Sequence, residues 1–264
     1  MAFLICLGSF TVAQSQKPQK PTTPAPDTKQ AKKPSFVLTV KTQPILNISL
    51  KAEKARVSEV AQELSKRLKI PVQLGKERQN ELLTVDFSEL TLEPALQLLA
   101  PQVYVDYEIN TGVMMPKPLA IYLFDADQGE PPLSAAVHGS VQSMLIEGNT
   151  EESADPQSDE AKKKLEEQPL RITFENNLLT VKAKKQPLPL VLLKIGEEMG
   201  IPVEIQDQAV SIVDTEISKL PIEDVVRQLS PHIRLFLRAD LTRADKRALR
   251  IVLTEQAQAT QQNP

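Results

Sequence analysis

A chain of 264 residues, 41% hydrophobic and only 4% aromatic, has room for one large domain or for two of about 90 residues with linkers, each able to bury a core. A net charge of −3 and a pI near 5.6 argue against a dedicated nucleic-acid binder, which needs a strongly basic face for phosphates, and the few aromatic residues make base-stacking platforms scarce. The single cysteine, Cys6, lies in the first fifteen residues, so removal of that stretch leaves neither disulfides nor thiol chemistry and a fold held by its core alone.

Residues 1–15, MAFLICLGSFTVAQS, are uncharged and apolar, short for a bilayer span, and end in small residues at Thr11, Ala13 and Ser15, the pattern of a secretory signal peptide. The basic segment that usually opens such a signal is missing, so an uncleaved anchor is the alternative. Residues 16–34, QKPQKPTTPAPDTKQAKKP, hold five prolines and five lysines against Asp27 alone, a composition that cannot build a core. As an extended tether this segment reaches about 60 Å, at about 3.1 Å per residue. Localisation is therefore expected to be exported, either periplasmic or associated with an outer membrane.

From residue 36 onward the chain says the same thing twice. KIPVQL at 69–74 returns as GIPVEI at 200–205, and without gaps around it Lys51 pairs with Lys182, Ala52 with Ala183, Lys54 with Lys185 and Val60 with Val191. After one residue is dropped from the following loop, SELTLEPALQLLAP at 88–101 overlays SKLPIEDVVRQLSP at 218–231, and LAIYL at 119–123 overlays LRIVL at 249–253. Each copy runs through the same periodicities. Ile48, Leu50 and Ala52 alternate with polar residues as in a half-buried strand, like Leu179, Val181 and Ala183. Val57, Val60, Ala61, Leu64 and Leu68 then recur at helical spacing, as do Leu188, Val191, Leu192, Ile195 and Met199.

The IPV strand follows, its proline ending the helical region, and a further strand carries Leu83, Val85 and Phe87, or Val213, Thr215 and Ile217. A second helix holds Leu92, Ala95, Leu96 and Leu99, matched by Ile222, Val225, Val226 and Leu229, and stops at Pro101 or Pro231. A hairpin closes each copy, VYVDYEI to LAIYLF and IRLFLRA to LRIVLT, and a leading strand, FVLTVK or RITFE, opens it, with a turn expected at ENN, 175–177. The expected fold is α+β: two tandem β-β-α-β-β-α-β-β modules at 35–126 and 169–256, each a small sheet on two helices with its own core. An acidic linker at 127–168 joins them, and a disordered tail is expected at 257–264.

This order resembles the short N-terminal (STN) domain of secretins and TonB-dependent receptors, and the related C-terminal module of periplasmic anti-sigma regulators. The residues that carry the resemblance are NLLTVKAKKQPLPLVLLKIGEEMGIPVEI at 177–205 and LPIEDVVRQL at 220–229; the first copy departs from the pattern in having Lys69 where the family often has glycine. The resemblance covers both repeats. It implies a cell-envelope location and protein–protein contact, with a secretin, a receptor or an anti-sigma type protein as the partner class.

Motifs for chemistry are lacking. His138 falls in the linker and His232 stands where the first copy has Gln102, so no site is shared between copies; no metal or cofactor set is legible, and no enzyme is expected. The acidic run EESADPQSDE at 151–160 lacks the spacing and turn glycine of a calcium loop, and no phosphate-binding or nucleophile-elbow motif occurs.

Two features exceed what a core requires. Leu190 and Leu193 point away from the apolar stripe of their helix, where the first copy has Glu59 and Gln62. Burying both yields about 3–6 kcal/mol, against about 8 for a micromolar complex, so cover by the linker piece LSAAVHGSVQSMLI at 133–146 stands beside a partner contact. The second closing hairpin carries Arg234, Arg238, Arg243, Lys246, Arg247 and Arg250 against Asp240 and Asp245, whereas the first carries Asp106, Glu108 and Lys117, with Met114 and Met115 at its tip. These six cations are the candidate ionic surface for an acidic partner or, alternatively, for the anionic cell-wall or membrane polymer of a structural adaptor.

Overall fold

A computed structural model describes residues 35–42, 45–134, 137, 169–206 and 211–254, all within the unit Ser35–Pro264. The expected signal stretch, the tether, His138, most of the linker and the tail lie outside the described residues. The fold is mixed α and β. It runs β1 (Phe36–Lys41), β2 (Asn47–Arg56), α1 (Val57–Leu68), β3 (Val72–Leu74), a 3-10 turn at Glu77–Asn80, β4 (Leu82–Thr91), α2 (Leu92–Gln97), β5 (Gln102–Asn110) and β6 (Lys117–Phe124). The second half runs β7 (Leu170–Glu175), β8 (Leu178–Pro187), α3 (Leu188–Met199), β9 (Val203–Ile205), β10 (Ile212–Leu220), α4 (Ile222–Leu229), β11 (Ile233–Asp240) and β12 (Asp245–Leu253).

Local chemistry accounts for these elements. In β2 the alternating Ile48, Leu50 and Ala52 are buried, and in α1 the buried set Val57, Val60, Ala61 and Leu64 forms one stripe. Helix α1 stops at Lys69 with φ 59° and α3 at Gly200 with φ 66°, the left-handed cap conformation. The expected turn between β7 and β8 forms at Asn176 and Asn177, whose φ values of 52° and 63° suit a tight hairpin loop. Positive φ recurs at matching positions, at Lys54 and Lys185 and at Glu89 and Lys219. The Glu89 amide donates to Ser49 Oγ at 2.9 Å and the Lys219 amide to Thr180 Oγ1 at 3.2 Å.

Three sheets result, two of three strands in the orders β1-β2-β4 and β10-β8-β7, and one of six in the order β3-β6-β5-β11-β12-β9. Helix α3 touches β7 and β8 of a small sheet and also β9 and β12 of the large one, and α2 touches β2, β4 and β5, so helices fill the layer between small and large sheets. One buried apolar cluster extends through both halves, from Leu38, Leu50 and Leu96 to Val191, Leu235 and Leu253.

That continuity corrects the expectation of separately cored halves. Within its own hairpin β5 has one neighbour, β6, and β11 has one, β12; pairing β5 with β11 in antiparallel register, from Tyr104↔Asp240 to Asn110↔Arg234, closes both open edges. The register centres on Tyr107↔Leu237, residues at matching places in the two sequence copies. Strands β5 and β11, with the later residues of β6 and β12, are buried on both faces. Val103, Val105, Leu235 and Ile251 face the helices, while Tyr104, Tyr122, Phe124, Phe236 and Val252 form small clusters on the opposite face. Part of the sequence expected as linker belongs to this structure, because Leu133 and Val137 pack on Phe236, Leu249 and Val252.

Candidate functional site

The six cations of the β11–β12 hairpin separate into an interior group and a surface group. Strand alternation sends Arg234 and Arg238 to the face away from the helices, where β5 lies alongside with Asp106 and Glu108. Arg238, 2% exposed, donates from Nε to Asp106 Oδ1 at 2.7 Å and from Nη2 to Asp106 Oδ2 at 3.1 Å, a two-pronged pair with a carboxylate that is 0% exposed. Its remaining donors reach Glu130 Oε1 at 3.1 Å, the Pro132 carbonyl at 3.1 Å and the Pro131 carbonyl. The guanidinium also lies 5.0 Å from the centre of the Tyr122 ring, whose hydroxyl donates to Asp106 Oδ2 at 3.0 Å.

Burial opposes the Arg238 charge, yet the hydrogen bonds and attraction of Asp106 outweigh it and hold the guanidinium above its ordinary pKa. Burial, with Asp106 adding to it, pushes the Tyr122 phenol up to about 12. Arg250 donates to the Val137 carbonyl at 3.1 Å and pairs with Glu204, and burial lowers its pKa. Arg234 donates to Glu108 at 2.6 Å across the junction between the halves.

These contacts remove Arg238 and Arg250 from the expected ionic surface, since both are buried, and Arg234 is half-buried against Glu108. For Arg234 and Arg238 the physical reason is complementarity between the copies, acidic residues on β5 and arginines on β11 neutralising each other in the shared sheet; Arg250, on β12, is instead held by Glu204 of β9 and the Val137 carbonyl. Arg243, Lys246 and Arg247 remain outside. Each has a carboxylate nearby, Asp240 at 3.6 Å, Glu223 at 3.2 Å and Glu130 at 2.7 Å, but the cations expose 77%, 61% and 60% of their side chains.

Lys246 and Arg247 stand at the mouth of a groove of about 830 Å³ in the second half, with Phe174, Met199, Ile201, Ile222 and Ala248 in its wall. Sequence reading did not find this groove, because its wall is assembled from the β7–β8 turn, the end of α3, the start of α4 and β12. The other candidates lie elsewhere. Leu190 is 43% exposed and Leu193 half-buried, and the described linker residues Leu133 and Val137 lie on the outer sheet face with Phe236 and Leu249. Residues 138–146 lie outside the described residues. His232 is half-buried and uses its backbone carbonyl to accept from Thr254.

Among the described residues no three His, Cys, Asp or Glu side chains converge as metal ligands, and no helix is long and apolar enough to cross a membrane. Comparison with family models, with curated proteins and with solved structures finds no match to this chain.

Proposed function

We propose that this is an exported cell-envelope protein that binds another envelope protein through a fused pair of STN-like modules, in a secretion or outer-membrane receptor context. Export is supported by the apolar first fifteen residues and the proline- and lysine-rich tether, and the paired modules by the repeated sequence and the matching backbone positions of the two halves. The observation that carries the binding reading is the apolar groove bordered by exposed Lys246 and Arg247, with Arg243 beside Arg247 on the same hairpin. A concave apolar wall with a charged rim supplies area for affinity and ions for orientation.

The test is site-specific photocrosslinking in cells from positions 243 and 247, followed by capture of the crosslinked partner with and without Arg243→Glu and Arg247→Glu. A defined envelope protein, captured at moderate salt and lost in the double variant, is the expected result. Crosslinks to no protein, with the chain instead pelleting on isolated cell-wall or membrane polymer and released by high salt, would replace this reading with that of a polymer-binding adaptor.

A further inference from the structure

The outer edge of β12 is only half covered. Strand β9 pairs with Ile251–Leu253 and no further, so among the described residues Asp245–Arg250 has no strand on the side away from β11. Backbone direction alternates along a strand. Ile251 donates to the Pro202 carbonyl and Leu253 accepts from Gln206, so both face β9. Along β11 and the residue after it, the Ile233 carbonyl accepts from Thr111 and Leu241 donates to Val103 of β5, which places Arg238 and Asp240 toward β12, opposite Arg247 and Asp245. A register shift opposite Phe236 and Leu237 restores the phase, and Lys246 and Ala248 consequently turn their backbone groups outward. The Lys246 amide is met by Asp245 Oδ1 at 2.9 Å. In this phase its carbonyl and both backbone groups of Ala248 point away from β11, where among the described residues no strand pairs with them, and Ala248, only 6% exposed, turns them into the groove.

The first half is closed at the matching place. There β3 covers β6 only over Ile121–Leu123, as in the second half, but the residue in the position of Ala248 is Pro118, which has no N–H to offer an incoming strand. Proline at an outward position is a device that keeps sheet edges from pairing, and the second half lacks it. The open edge also borders the apolar groove, with Ala248 and Lys246 in its wall. Cations dominate its surface charge: Arg243, Lys246 and Arg247 are each far more exposed than Asp240, Glu223 and Glu130, at 13%, 17% and 36%, and Asp245 is the one exposed carboxylate on the strand.

We infer that the β12 edge takes up an extended segment of a partner polypeptide, added as a strand beside Asp245–Ala248, with apolar side chains in the groove and carboxylates toward Arg243, Lys246 and Arg247. This rests on the protein-binding reading above and names the partner's form and chemistry. An added strand satisfies the free backbone groups of Lys246 and Ala248, and its side chains alternate between the groove and the opposite face.

The probe is a displayed library of peptides that alternate acidic and apolar residues, selected on the full chain and measured by fluorescence anisotropy. Selected peptides are expected to lose at least tenfold in affinity for Ala248→Pro, to weaken further with salt, and to be blocked by N-methylation at alternate backbone positions but not at the positions between. Amide exchange at Ala248 is expected to slow at least tenfold on saturation. Pro118 shows that the fold tolerates proline in this position, and the methylated peptides leave the protein unaltered, so unfolding cannot imitate the result. Recovery of no binding peptide, or of peptides indifferent to methylation, overturns the strand addition. Capture of an envelope protein that survives Ala248→Pro overturns it too while leaving the protein-binding reading intact.

Discussion

Replacing Arg238 with methionine tests the junction between the halves most directly, because methionine keeps an apolar stem in place and removes every donor. Asp106, 0% exposed, then keeps the Tyr122 hydroxyl as its side-chain donor in place of that hydroxyl and a two-pronged guanidinium. Removing one member of a buried pair costs about 3–5 kcal/mol, mostly through the stranded charge, and a single domain has about 5–15 in total. Release of Glu130 and the Pro131 and Pro132 carbonyls loosens the cover over the outer sheet face as well. Urea denaturation at neutral pH followed by circular dichroism should show that loss as a lower midpoint with unchanged slope. Asp106→Leu combined with Arg238→Met removes both charges, and the double variant is expected to be at least about 2 kcal/mol more stable than the sum of the singles implies. A single substitution costing less than about 1 kcal/mol, or strict additivity in the cycle, would refute the assignment of this pair as the clamp between the halves.

A shared core predicts one unfolding transition: all three tyrosines lie in the first half, so tyrosine fluorescence reports that half while circular dichroism reports both, and two distinct midpoints would contradict the continuity of the cluster. Lys69→Gly is expected to stabilise by about 0.5–1 kcal/mol and Gly200→Lys to destabilise by about 1, measured by thermal melts, since both positions are left-handed helix caps and only glycine adopts that conformation without strain. Tyr122 has its folded pKa raised from 10.0 to about 12, so its contribution is complete below pH 10 and is lost as pH rises from there toward 12. The loss amounts to at most about 2–3 kcal/mol, and Tyr122→Phe should flatten that part of the alkaline stability curve.

Much of the secondary structure was legible in periodicity, because strands and helices of this chain each bury one face or stripe. The alternation Ile48, Leu50, Ala52 and the helical stripe Val191, Leu192, Ile195 correspond to buried faces of β2 and α3. The closing hairpins broke that logic. Strands β5 and β11 are buried on both sides, so Asp106 and Arg238 looked like solvent-facing charges when they are partners in the interior. A signal was present: the acidic residues of one copy and the arginines of the other occupy the same strand, a complementarity that reads as mutual pairing once the copies are imagined side by side. The groove had no comparable trace, since Phe174, Ile201, Ile222 and Ala248 are far apart in the chain and individually resemble ordinary core residues.

The amino-acid order alone determined where the strands and helices lie and that they recur in two copies, because hydrophobic spacing and turn chemistry act between near neighbours. Tertiary structure decided which edges meet. Pairing of β5 with β11 merged two expected cores into one and drew Arg234 and Arg238 against the acidic residues of β5, while the short reach of β9 left β12 with an open margin, and none of these follows from spacing because each depends on backbone groups brought together from distant parts of the chain.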